Sequence, residues 1–193
     1  ILGEDNKRLS KRHGAAGVNE YERMGYQPDA LLNYLALLGW NPGTEEEIFD
    51  LGSLVKNFDI KRVQKKSATY DQKKFNWISS QHLMREDSEK VLNRLASIDP
   101  IWSEPRSQDY LIKIIDLMKP RSNSLTDLID QSQYFFSSSK NFDSTQLKKI
   151  WKQDTSEKII ELKKVLNSID SWAANELESN FKSFAYQRGI GIG

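Results

Sequence analysis

Cysteine is missing from all 193 residues, and histidine occurs only twice, at His13 and His82. The first absence excludes disulfides and thiolate metal sites within the chain and fits a reducing compartment. The second leaves two imidazoles far apart in sequence with no carboxylate pair at ligand spacing, so no metal site is expected. No apolar run approaches the length of a membrane span and no secretory signal is visible, so a soluble, cytoplasmic protein without a membrane partner is the expectation. Charge of one sign is also lacking, since 28 Lys and Arg face 27 Asp and Glu, and no global field favours a polyanion. Period-two alternation is absent over any useful length. The fold class expected is therefore all-α, with at most one short strand near Ile1-Leu2 or around Ser67-Tyr70.

What is present is helical. Pro28-Asp29 opens a helix that carries Leu31, Leu32, Leu35 and Leu38 and stops at Gly39. A second is expected from about Asp50 with Leu51, Leu54, Val55 and Phe58. Asp71 can cap a third, in which Phe75, Ile78 and Leu83 face inward. Val91, Leu92, Leu95 and Ile98 make the next stripe, ended by Asp99-Pro100. Leu111, Ile114, Ile115 and Met118 follow at i, i+3, i+4, i+7, up to Pro120. Ser124 to Asp127 and Asp154 to Glu157 read as capping boxes, and Asp143 with Gln146 repeats the arrangement. The last two helices are expected to bury Ile159, Leu162, Leu166 and Ile169, then Trp172, Leu177, Phe181 and Phe184. Tyr134, Phe135, Phe136, Trp151, Trp172, Phe181 and Phe184 could stack unpaired bases, but their helical positions favour core packing.

Local charge is more telling than the total. Lys56, Lys61, Arg62, Lys65, Lys66, Lys73 and Lys74 outnumber Asp59 and Asp71 in one segment, just after Glu45, Glu46 and Glu47. Such a segment suits a nucleic-acid backbone, because neutralising phosphates releases counterions. It equally suits a solvated Lys-rich surface, and both readings stay open. Near the start, Lys7-Arg8-Leu9-Ser10-Lys11-Arg12-His13-Gly14 is a basic octapeptide, which by itself is more often a solvated turn or a generic polyanion patch than a catalytic loop.

That octapeptide resembles the K-M-S-K-S loop of class I aminoacyl-tRNA synthetases in the form typical of bacterial glutamyl-tRNA synthetases. The resemblance continues through Tyr21-Glu22-Arg23-Met24-Gly25-Tyr26-Gln27-Pro28-Asp29, Glu47-Ile48-Phe49, Lys73-Lys74-Phe75-Asn76-Trp77-Ile78 and Leu117-Met118-Lys119-Pro120-Arg121 to Gly189-Ile190-Gly191. It is strong up to about Glu86 and looser beyond.

The resemblance implies a glutamate–tRNA ligase that joins glutamate to tRNA(Glu) through an ATP-derived glutamyl-adenylate, using ATP with Mg2+ and L-glutamate. Whether tRNA(Gln) is a second acceptor is left open, and a monomer is expected. Lys11 matches the second lysine of the loop motif and would contact ATP, Ser10 would shape the loop, and Arg8 stands at the first lysine position with Lys7 beside it. Lys61, Arg62, Lys65 and Lys66 would lie on tRNA. Arg121 matches the arginine of an M-x-P-R turn that in the family lies near the third anticodon base; it equally suits a cap on the carbonyl end of the helix carrying Met118, and both readings stay open. Residues 1–86 would be the loop and a helical stem-contact region, and 87–193 a bundle beginning the helical anticodon-binding domain. The family places a nucleotide fold with an H-I-G-H motif before this point and further helices after it, so the chain is expected to be an internal fragment, inactive in isolation. The alternative is a non-catalytic helical RNA-binding or interaction module. A glutaminyl enzyme fits the loop alone, but the helical continuation argues against it.

Overall fold

The computed structural model describes residues 1–3, 5–9, 17–104, 106–138 and 142–191. Among them are eleven α-helices and no sheet, divided between two compact units, Ile1–Ser138 and Ser139–Gly193.

The first unit holds α1 (Val18–Arg23), α2 (Pro28–Gly39), α3 (Leu51–Asn57), α4 (Gln72–Arg85), α5 (Ser88–Ile98), α6 (Pro100–Ser103), α7 (Gln108–Met118) and α8 (Leu125–Ser132). Their starts are set by side-chain oxygens. Asp50, Asp71, Asp87, Asp99, Ser107 and Ser124 each accept from a backbone amide of the first turn, relieving donors that helical geometry leaves unpaired. Pro28 sits at the first position of α2, where its missing N–H costs nothing.

Two main apolar clusters form. Leu31 and Tyr34 of α2 pack with Ile48, Phe75 and Ile78. Leu83 of α4 joins Val91, Leu95, Trp102, Ile115 and Leu128 in a cluster that spans α4 to α8. Burial of each large aliphatic side chain contributes about 1.5–3 kcal/mol. Trp40, Phe49 and Leu54 make a smaller third cluster.

Leu32 and Leu35 do not share the buried stripe expected of them; each is 43% exposed. Leu31 and Tyr34 turn toward the core, and residues one position further on lie about 100° round the helix. Leu51, Val55 and Phe58 are likewise exposed, because α3 buries only Leu54. Ile98 is exposed at the end of α5.

Neither place named for a strand forms one, yet the chain brings them together. Leu2 makes isolated bridges to Arg8 and Thr69.

The second unit contains α9 (Ser144–Ile150), α10 (Thr155–Asn167) and α11 (Ala174–Gln187), with α10 packed on α11. Asp143 caps α9 as expected. Asp154 makes no cap to α10, because its carboxylate pairs instead with Lys158 at 2.9 Å. Phe184 and Ala185 are buried, while Ile159, Trp172 and Phe181 are exposed, contrary to the packing expected of them. Two short amphipathic helices can hide only the faces they turn to each other.

Candidate functional site

The base of the basic octapeptide is held by main-chain hydrogen bonds. Leu2 donates to Ala68 O and accepts from Tyr70 N, both at 2.8 Å, and Leu9 N donates to Ile1 O at 3.0 Å. Gly3 N donates to Lys7 O at 2.8 Å, closing a turn in which Asn6 takes a φ of 59°, a left-handed conformation that asparagine tolerates better than most. Arg8 is thereby fixed opposite Leu2 with its side chain exposed. Lys7 pairs loosely with Asp5 at 3.8 Å. Ser10, Lys11, Arg12 and His13 lie outside the described residues.

A cluster of rings supports this base. Tyr21 of α1 lies edge-on to Phe75 at 5.3 Å, and Tyr34 edge-on to Tyr70 at 5.4 Å. Tyr21 Oη donates to Tyr70 Oη at 3.0 Å, and Tyr70 Oη donates to Gln72 Oε1 at 2.8 Å. Tyr26 Oη donates to Asn76 Oδ1 at 3.0 Å. Burial raises the pKa of Tyr26, Tyr34 and Tyr70, so these phenols stay protonated and serve as neutral donors.

Lys61, Arg62, Lys65 and Lys66 form one exposed basic segment. It is anchored by Asp59, which caps the short turn Ile60–Arg62, and by Gln64 N donating to Gly39 O at 2.8 Å. The Arg62 guanidinium is occupied in part, since it donates to Pro42 O and lies against Gly43, whose φ is +78°. Lys74 is turned elsewhere: it pairs with Glu47 and sits 4.6 Å from the centroid of the Trp77 ring.

His82 serves the interior. Its Nε2 lies 3.0 Å from Asn33 Oδ1, which also accepts from Phe49 N at 2.9 Å. Asn33 Oδ1 can only accept, so His82 Nε2 carries the proton and the ring is the Nε2–H tautomer. Burial lowers the pKa of His82, against the pull of Asp29 and Asp50 and with the push of Arg85. Among the described residues no group of three or more His, Cys, Asp or Glu could hold a metal.

Arg121 closes the turn Lys119–Arg121 after α7. The turn is built from all sides. Lys119, itself buried, donates to Glu86 O at 2.5 Å and to Ser88 Oγ at 2.6 Å. Ser122 Oγ donates to Met118 O at 3.0 Å. Gln131 Nε2 donates to Arg121 O at 3.2 Å and to Asp127 Oδ1 at 2.6 Å. The carbonyl end of α7 is thus met by Ser122, while the Arg121 guanidinium is exposed and makes no hydrogen bond or ion pair among the described residues.

Sequence reading singled out Arg121 but missed its supports. Lys119 looks like a surface lysine, and its partner Glu86 stands 33 positions earlier. Gly25, with a φ of +72°, accepts from Leu125 N at 3.0 Å, and Met24 O accepts from Thr126 Oγ1 at 2.5 Å across 102 positions. Ser79 Oγ donates to Asn123 O at 2.6 Å. The sequence cue that could have pointed to these contacts is Gly25, which follows the C-cap residue Met24 of α1.

Two family models match the chain in tandem. Residues 1–77 match the catalytic domain of class I tRNA synthetases (E and Q), and residues 88–193 match an anticodon binding domain. The chain is 34% identical over 196 residues to glutamate–tRNA ligase 1 of Syntrophomonas wolfei, covering 98% of itself and 39% of that protein. It is 34% identical over 201 residues to the glutamate–tRNA ligase of Moorella thermoacetica, covering 100% of itself and 41% of the relative. A crystal structure of a glutamate tRNA ligase from Elizabethkingia meningosepticum, in complex with its amino acid, superposes with a TM-score of 0.82 at 28% identity, covering 99% of this chain and 41% of that one. The chain therefore spans about two fifths of the length of the relatives it matches.

Proposed function

We propose, for a chain that belongs to the glutamate- and glutamine-type class I tRNA synthetases, that it supplies the ATP-phosphate loop and the tRNA-binding helices of a glutamate–tRNA ligase. The observation that carries this reading is the tandem order of the two family matches on one short chain, with the basic octapeptide inside the first.

In the reaction proposed, the glutamate carboxylate attacks the α-phosphorus of ATP and pyrophosphate leaves. A ribose hydroxyl at the tRNA terminus then attacks the carbonyl carbon of the adenylate, and AMP leaves. Phosphoryl transfer of this kind asks the protein mainly to position reactants and offset charge. Lys11 is proposed to reach the triphosphate and Ser10 to shape the loop, with Arg8 at its root. Mg2+ is proposed as the counter-ion that ATP brings with it.

Residues 1–86 are proposed as loop and stem-contact region and 87–193 as anticodon-binding region. Lys61, Lys65 and Lys66 are proposed to meet tRNA phosphates. Arg62 is proposed to do so as well, after releasing Pro42. Arg121 is proposed to read the anticodon; a free guanidinium on a fixed turn supports this, because an orienting frame raises the selectivity of one base contact. The acceptor is proposed to be tRNA(Glu), with tRNA(Gln) decided by that contact, in a cytoplasmic monomer.

The test is charging of tRNA(Glu) with labelled glutamate and ATP by the complete gene product. Charging is expected. RNA binding without charging would replace this reading by that of a non-catalytic RNA-binding module.

A further inference from the structure

Tyr134 does not pack in the core. It is 54% exposed, whereas Phe135 and Phe136, next to it in the chain, pack against the main cluster of the first unit. Its ring is nonetheless fixed. Phe135 covers it at a centroid distance of 4.3 Å and an interplanar angle of 33°, and Tyr134 Oη lies 3.6 Å from Met118 Sδ. Met118 is the last residue of α7, immediately before the turn that ends in Arg121. Gln131, three positions before Tyr134, holds the carbonyl of Arg121 itself. An aromatic ring backed by another ring, with half its surface free, thus touches the last residue of α7, directly before the turn that carries an unengaged guanidinium. Lys113 and Leu117 are exposed on the same helix α7, and Leu117 is 52% exposed.

We propose that Tyr134 is a stacking platform for one unpaired nucleobase of single-stranded RNA, the neighbour of the base that Arg121 reads. The chemistry is general. Every base has a π-face, and proteins bind unpaired strands by pairing exposed rings with nearby cations. A ring already backed and tethered loses little rotamer freedom on binding. Arg121, at the end of the neighbouring turn, supplies a cation of the kind that suits a phosphate backbone. The proposal rests on the anticodon-binding reading above and adds to it a contact independent of Arg121.

The test uses the full chain and an RNA stem-loop copying the anticodon arm of tRNA(Glu), with binding followed by fluorescence anisotropy. Tyr134→Leu should weaken binding about five- to hundredfold, the usual range for loss of one base stack, while Tyr134→Phe should stay within about twofold. Binding by Tyr134→Leu within about twofold of the parent would overturn the proposal, as would equal losses in both variants, since the hydroxyl and not the ring face would then matter. If the parent bound no RNA while remaining folded, the anticodon-binding reading would fall with it. Photocrosslinking of the same stem-loop, carrying 5-iodouridine in its loop, to the unaltered chain gives a second measurement that needs no variant. Crosslinks on the peptide containing Tyr134 support the platform, and crosslinks confined to other peptides overturn it.

Discussion

Gly25 and Thr126 touch backbone to backbone: a Cβ on Gly25 would lie 2.8 Å from Thr126 N. With its φ of +72°, Gly25 lets the chain turn sharply after α1 and present its carbonyl to the first amide of α8. Both the dihedral angle and the space demand glycine.

Gly25→Ala should therefore destabilise the chain by more than the left-handed conformation alone, which costs roughly 1–2 kcal/mol for a residue with a Cβ. Urea denaturation of the two proteins checks this. A loss below about 0.5 kcal/mol, the scale of an ordinary surface change, would mean the contact is loose.

His82 should make stability pH-dependent. Its pKa in the fold is lowered from 6.5, chiefly by burial, so the unfolded chain takes up a proton before the folded one does. Stability contributed by the neutral ring is complete above the unfolded value, falls as pH drops below about 6.5, and stops falling once the folded ring is also protonated. His82→Gln should flatten the slope of unfolding free energy between about pH 7.5 and 5.5. Identical slopes in both proteins would show that the ring titrates alike folded and unfolded.

Lys11→Ala, made in the complete gene product, should depress adenylate formation far more than tRNA binding. A charge contact that strengthens in the transition state is worth about 3 kcal/mol, or a few hundredfold in rate. Single-turnover activation within a few fold of the parent would remove Lys11 from that role.

Arg121→Gln should change the ratio of kcat/KM for tRNA(Glu) and tRNA(Gln) while leaving folding intact, since its guanidinium supports no other described residue. One specific base contact contributes about 1–3 kcal/mol on the scale measured for DNA. Charging assays with both tRNAs give the ratio, and an unchanged value would reduce Arg121 to a surface residue.

Much of this architecture is legible in the sequence because its signals are local. Asp71 caps α4 at Lys73 N and Lys74 N, and Phe75, Ile78 and Leu83 are buried as their spacing implies. What fails is any inference that needs to know which partner a helix meets. Leu35 and Val55 lie on faces that the described residues of the first unit leave exposed, and apolar spacing cannot say how many faces find neighbours. Asp154 had two uses for one carboxylate, a cap or an ion pair, and spacing permits both. At the candidate site, the basic residues and Arg121 are visible as types in a pattern. The grip of Lys119 on Glu86 and of Met24 on Thr126 is not, because long-range pairing leaves no periodic trace.

The first family match ends at residue 77 and the second begins at residue 88, yet α4 runs from Gln72 to Arg85 through most of that interval, and Glu86 is bonded to Gln27, Arg94 and Lys119. A seam between two modules usually permits exchange, with each half transplanted whole into a relative. Here the seam is the last part of a helix closed by a polar knot, so a chimera cut before Glu86 would take Gln27 and Glu86 from different parents, and one cut after it would part Glu86 from Arg94 and Lys119. Functional hybrids should arise only when Met24, Gly25 and Gln27 travel together with the segment from Glu86 to Thr126, which makes these stretches co-inherited parts of one mechanical piece.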